Sequence, residues 1–129
     1  RGARLQPVCH MSGFLGSGTP LFEIRDHAGD SSDLLIRNRP LGAALAQCLG
    51  AARVVLMRGH GCTVVAESVR VAVYRAIYTE LNAQLQLQAS LLGEVQVLTP
   101  GEADATQATN EGQVERPWNL WRERARAAT

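Results

Sequence analysis

The sequence predicts an α/β layered domain, and three observations carry that prediction. Arg53 to Met57 is a continuous apolar stretch of strand length, patterned for burial on both faces. A much longer stretch, from about Ser68 to Leu92, repeats its apolar residues at helical spacing. Helix-like and strand-like segments interleave along the whole chain, which is the order of a layered α/β domain.

The elements follow in order. Gln6 to Cys9 reads as a short strand, and Gly13, Gly16 and Gly18 mark a flexible connection around apolar Phe14-Leu15. Pro20 to Arg25 reads as a strand, and Asp26 to Ser32 as a turn cluster. Leu34-Leu35-Ile36 is apolar, with its type left open. Pro40 opens a helix in its favoured first turn and Gly50 closes it. After the 53–57 strand, Gly59-His60-Gly61 breaks the pattern and Thr63 to Val65 resumes a strand. The helix from Ser68 to Leu92 would be about 37 Å long at 1.5 Å per residue. Val71, Tyr74, Tyr78, Leu81, Leu85 and Leu92 form one apolar stripe on it, and Val69, Val73, Ala76, Ile77, Leu87 and Leu91 a second. Two stripes predict burial on two sides, the second against a further layer or another subunit. Gly93 ends that helix, and Thr99-Pro100-Gly101-Glu102 is a capping box that starts another. Ala108 to Gly112 reads as loose, and Pro117 to Ala127 as a last helix carrying Trp118, Leu120 and Trp121.

Composition narrows the function. A length of 129 residues suits one domain, and 46% hydrophobic content suffices for a core. The net charge of +1 leaves no electrostatic footprint for nucleic acid or an anionic membrane, and no apolar run could span a bilayer. The opening Arg1-Gly2-Ala3-Arg4-Leu5 is no signal peptide and reads as a chain begun in mid-domain. Cys9, Cys48 and Cys62 are odd in number and far apart, which predicts reduced thiols in a cytoplasmic protein. All 13 basic residues are arginine. These residues therefore supply no Schiff-base, pyridoxal-phosphate or P-loop lysine, and carbonyl chemistry here would need a metal or a fixed dipole as electron sink.

Arg58-Gly59-His60-Gly61 is the leading chemical candidate. A histidine between glycines at the end of a buried strand sits on a rigid scaffold beside an open loop, as a metal ligand or an acid–base group. It equally suits a histidine satisfied by hydrogen bonds at a strand end. Arg58 suits a substrate carboxylate or phosphate, or a surface ion pair. His27, between Asp26 and Asp30, reads as a solvated loop residue. Glu80 lies within the second stripe and would need a partner there.

The run Val54 to Gly61, followed by Ala66-Glu67-Ser68, Ala72-Val73-Tyr74-Arg75-Ala76 and Thr79 to Gln84, resembles the C-terminal signature of class II aldolase/adducin domains. Pro7-Val8-Cys9-His10-Met11 and Asp33 to Leu49 also fit, so the resemblance covers roughly residues 5 to 105. It implies a three-layer α/β/α domain, incomplete here at its N-terminus, with residues 106–129 as a helical tail. It implies a divalent metal (zinc, manganese, iron or cobalt) held by three histidines, of which His60 is one and an upstream H-x-H pair the others. This chain has no H-x-H. His10 takes a position near the site, as a substrate or proton-donating group, and Arg58 becomes a substrate-binding candidate. The implied activity is that of a lyase breaking a C–C bond through a metal-stabilised enolate. It would be decarboxylation of an aromatic or keto diacid, or retro-aldol cleavage; Arg116-Pro117-Trp118 and the His10 stretch lean to the former. The alternative is a non-catalytic, adducin-like interaction module. The resemblance also implies a homo-oligomer, a tetramer, acting on a small molecule, with these 129 residues inactive by themselves because one imidazole cannot hold a catalytic metal.

Overall fold

The computed structural model describes residues 4–16 and 18–128. Arg1, Gly2 and Ala3, part of the stretch read as a mid-domain start, lie outside them. Three short strands form the sheet: β1 (Leu21–Phe22), β2 (Val54–Met57) and β3 (Gly61–Val64), in the order β1-β2-β3. β1 pairs parallel with β2, Leu21 opposite Leu56 and Phe22 opposite Met57. β2 pairs antiparallel with β3, from Val54 opposite Val64 to Met57 opposite Gly61. Successive side chains of a strand point to opposite faces, and β2 shows it. Val54 joins Leu5, Phe14, Leu15, Tyr74 and Val114 in one cluster. Val55, 0% exposed, joins Phe22, Ile24 and Leu41 in another. Full burial of a valine is worth about 1.5–3 kcal/mol, so β2 is pinned from both sides as its apolar run predicts.

Among the described residues the helices are α1 (Arg25–Ala28), α2 (Arg39–Leu49), α3 (Val69–Ser90), α4 (Pro100–Glu111) and α5 (Glu115–Ala127). Their starts follow local chemistry. The Asn38 side chain accepts the Leu41 N–H at 3.0 Å, with Pro40 in the first turn of α2. Ser68 accepts the Val71 N–H to start α3. Thr99 and Glu102 close the expected capping box on α4, Thr99 N–H to Glu102 Oε2 at 2.8 Å and Glu102 N–H to Thr99 Oγ1 at 3.2 Å.

Several expectations are corrected. Residues 6–9 form no strand; side chains of α3 serve their backbone instead. Asn82 Oδ1 accepts the Val8 N–H at 2.9 Å while Asn82 Nδ2 donates to the Gln6 carbonyl at 2.7 Å. Gln86 repeats this with the Gln6 N–H and the Arg4 carbonyl. The segment read as a flexible connection begins as a 3-10 turn, His10–Leu15, whose Ser12, Gly13, Phe14 and Leu15 are buried. It lies so close to α4 that a methyl group on Gly13 would stand 2.3 Å from Thr106 Oγ1 and 2.4 Å from the Ala103 carbonyl oxygen. β1 stops at Phe22 because the Glu23 carboxylate accepts the Arg25 N–H at 3.0 Å and turns the chain into α1. Residues 108–111 are not loose but complete α4, whose Ala103 and Asn110 are buried. α4 thus runs across residue 105, where the sequence reading divides domain from tail.

Neither stripe of α3 is fully buried: Leu81, Leu85 and Leu92 of the first are exposed as well as much of the second. The buried residues of the helix are Tyr74, Arg75, Thr79 and Asn82, a largely polar set. Arg75 donates to the Val65 carbonyl at 2.7 Å and to Glu111 at 2.7 Å, tying the end of β3 to α4. In the second stripe Val69 (71% exposed), Leu87 (65%) and Leu91 (80%) meet solvent, so this chain alone does not bury both sides. Glu80 is exposed and takes a hydrogen bond from Gln84, which answers its need for a partner without a buried one.

Candidate functional site

The residues singled out from the sequence lie at two places. The first is the C-terminal end of the parallel β1/β2 pair, the end at which open α/β sheets present their functional loops. Gly59 and Gly61, both at positive φ, let the chain reverse from β2 into β3. His60 stands exposed in that turn, its N–H donating to the Met57 carbonyl at 3.0 Å. Beside it Arg58 Nε–H donates to Glu23 Oε1 at 2.8 Å, and Arg25 Nη2 donates to Glu23 Oε2 at 2.9 Å. Hydrogen bonds from Arg25, and then from Arg58, hold the Glu23 carboxyl down at about 2. Arg58 is therefore already engaged in an ion pair, and Glu23 was not anticipated as its partner. His27, at the end of α1, is exposed and stacks on Phe22 with ring centroids 5.4 Å apart and planes 9° from parallel.

The second place is a cleft of about 580 Å³ between the 3-10 turn, α3 and the α4–α5 corner. His10 and Met11 form one wall, and Tyr74 and Tyr78 of α3 form the floor. The opposite wall comes from Asn110, Gln113 and Arg116, closed by Pro117 and Leu120. Asn110 fixes the histidine. Its Nδ2 donates to the His10 carbonyl at 2.8 Å and lies 3.3 Å from His10 Nδ1. The carbonyl contact sets the amide nitrogen on that side, so a second amide hydrogen is available to Nδ1, an arrangement that suits the tautomer with its proton on Nε2. Tyr74 Oη donates to the Met11 carbonyl at 2.9 Å. Burial, with Tyr78, Cys9 and Glu111 nearby, pushes the Tyr74 phenol well above its ordinary value, so this hydroxyl is a fixed donor and not an acid. Val114, buried between α4 and α5, anchors their corner in the core, and Trp121 packs 6.1 Å from Tyr78.

His10 lines this cleft, whereas His60 and Arg58 do not. The residues on its far wall lie about a hundred positions along the chain, and Gln113 and Arg116 were missed by sequence reasoning. Their only signal was the lean drawn from Arg116-Pro117-Trp118.

The whole chain can now be set beside known proteins. Residues 2–87 match the model of the class II aldolase and adducin N-terminal domain. The chain belongs to the class II aldolase and adducin family. It is 40% identical over 141 aligned residues to the decarboxylase tropJ of Talaromyces stipitatus, a match covering 93% of this chain and 53% of that protein. It is 41% identical over 69 residues to a 3,4-dihydroxyphthalate decarboxylase of Terrabacter, covering 54% of this chain and 29% of that protein. A 3,4-dihydroxyphthalate decarboxylase of Arthrobacter keyseri is 45% identical over 60 residues, covering 46% of this chain and 24% of that protein. The chain thus spans about half the length of tropJ, and that match runs past the family segment into the C-terminal helices that wall the cleft.

The metal that the family implies does not fit these residues by themselves. Among the described residues no three His, Cys, Asp or Glu side chains are grouped so as to hold an ion, and a catalytic centre takes about three protein ligands. His10, His27 and His60 do not make up such a set. No helix among the described residues is long and apolar enough to cross a membrane.

Proposed function

We propose that this chain is the C-terminal part of a decarboxylase of the class II aldolase family, a lyase that releases CO2 from an aromatic or keto diacid. The observation that carries the reading is the 40% identity to a decarboxylase across 93% of the chain, including the helices that complete the His10 cleft. The structure supplies a matching part. When CO2 leaves, the electron pair stays on carbon and a proton must replace it. His10, held from behind by Asn110, would donate that proton from its protonated ring and be left neutral. The complete domain would have the three-layer α/β/α arrangement. It would depend on a divalent metal whose ligands include His60 and groups outside these 129 residues. The exposed second stripe of α3 supports assembly into a homo-oligomer, a tetramer by family likeness, and the protein would work in the cytoplasm.

The test uses the full-length protein with and without added divalent metal, offered an aromatic diacid and a phosphorylated sugar. Metal-dependent CO2 release from the diacid is the expected outcome. Aldol cleavage of the sugar without CO2 would replace decarboxylase by aldolase. No turnover of either, with no metal bound, would favour the adducin-like module.

A further inference from the structure

Arg116 is the feature that the decarboxylase reading leaves unused. It stands exposed at the mouth of the His10 cleft, in the first turn of α5. The carboxylates nearest it in sequence are taken elsewhere: Glu111 pairs with Arg75 at 2.7 Å, and Glu115 pairs with Arg70. Arg116 itself makes no ion pair among the described residues. A guanidinium left without a counter-ion at the rim of a largely apolar cleft calls for an anion, and its planar fork matches a carboxylate. Gln113, one turn earlier on the same wall, adds an amide donor, and the His10 ring lines the same cleft. Between these polar groups the walls are Met11, Pro117, Leu120 and the face of Tyr78. Tyr78 is the middle of an aromatic row, 4.8 Å from Tyr74 and 6.1 Å from Trp121 between centroids, which holds its ring in place.

We infer that this cleft binds the ring and one carboxylate of an aromatic acid, with Arg116 clamping the carboxylate, Tyr78 and Leu120 packing on the ring, and His10 and Gln113 donating hydrogen bonds. The volume of about 580 Å³ lies within the range of small-molecule sites and leaves room for a substituted benzene ring. As a statement about the substrate, this rests on the decarboxylase reading: the clamped carboxylate would be the one that remains. As a statement about binding, it stands on the cleft alone.

The experiment titrates the full-length protein by calorimetry with phthalate, benzyl alcohol and acetate. Phthalate should bind one per chain, and the two partial probes should bind at least tenfold more weakly, since each lacks the ring or the charge. Arg116→Gln should weaken phthalate at least tenfold, with Arg116→Lys in between, because lysine keeps the charge and loses the fork. Arg116 is solvent-exposed, so both variants should keep the wild-type circular dichroism spectrum. Phthalate affinity unchanged in Arg116→Gln, or no phthalate binding at all, overturns the inference. CO2 release by the wild type, measured separately, distinguishes the two readings. Turnover with Arg116-independent binding sinks only the clamp, and Arg116-dependent binding without turnover sinks only the decarboxylase.

Discussion

His10 and His60 are the two histidines on which any chemistry of this chain would turn, and the protein holds them in opposite ways. His10, itself exposed at the edge of the cleft, is fixed through its own ring and carbonyl by a residue a hundred positions away. Among the described residues His60 is held through its backbone, in an exposed turn between two glycines, with no partner for its ring. A ring restrained by a neighbouring amide has one defined protonation pattern, as proton transfer requires. A ring with both nitrogens available is what a ligand needs before its ion arrives. The contrast is the one expected if His10 is the acid–base group and His60 the metal ligand of the proposed function.

The sharpest way to break this contrast is to remove each ring from the complete enzyme. His60→Ala should abolish metal-dependent turnover while leaving the melting temperature close to wild type, because the ring holds nothing in place. Activity retained in that variant would end its role as a ligand. His10→Ala should bind metal normally and lose about 10²–10⁴ in kcat, the usual worth of a positioned acid or base.

A smaller effect sharpens the His10 side. Asn110→Asp exchanges a donor for acceptors, so the His10 proton should move from Nε2 to Nδ1, read directly from the ring nitrogen shifts in NMR. An unchanged tautomer would mean that Asn110 does not set it. Smaller again is Gly13→Ala, which forces α4 away from the 3-10 turn. Overpacking of this kind costs about 1–3 kcal/mol, visible as a lower denaturation midpoint, and it should weaken Asn110's grip on His10 without touching His60.

The smallest effect belongs to the His60 end and is set by pH. The Glu23 carboxyl is held at about 2 by Arg25 and Arg58, against an ordinary 4.5. A depressed carboxyl contributes stability that is complete above its unfolded value and is lost as pH falls through the folded one. Acid titration should therefore remove a small, solvent-screened increment between about 4.5 and about 2, and Glu23→Gln should lack it. An identical acid profile in that variant would show the ion pair to be idle.

The same contrast explains what could be read without a structure. β2, α2, the start of α4 and the glycine-flanked His60 are written in neighbouring residues: an apolar run, a first-turn proline, a capping box, two glycines. The cleft is not. His10 was singled out through family resemblance, and its wall comes from Asn110, Gln113 and Arg116, which no local pattern links to it. The length of α4 was missed for a related reason. Its inward face is Ala103, Thr106 and Asn110, small or polar residues that fit against Gly13 and leave no hydrophobic period to detect. The strand expected over residues 6–9 was misjudged because extended backbone there is satisfied by two side-chain amides and not by a neighbouring strand.

That last arrangement has an arithmetic of its own. Asn82 and Gln86 are four residues apart, a rise of about 6 Å along a helix. The backbone they serve advances about 6.6–6.8 Å for every two extended residues. The two repeats run in opposite directions and nearly match, so a helix can stand in for a strand over two rungs. The mismatch of roughly 0.6–0.8 Å per rung accumulates, which limits the length of any such ladder. Lengthening the segment between Arg4 and Val8 by one residue would turn each carbonyl and N–H half a repeat out of phase with its amide. The segment from Arg4 to Val8 is thus metered by the pitch of α3, a vernier in which insertions should be tolerated in pairs far better than singly.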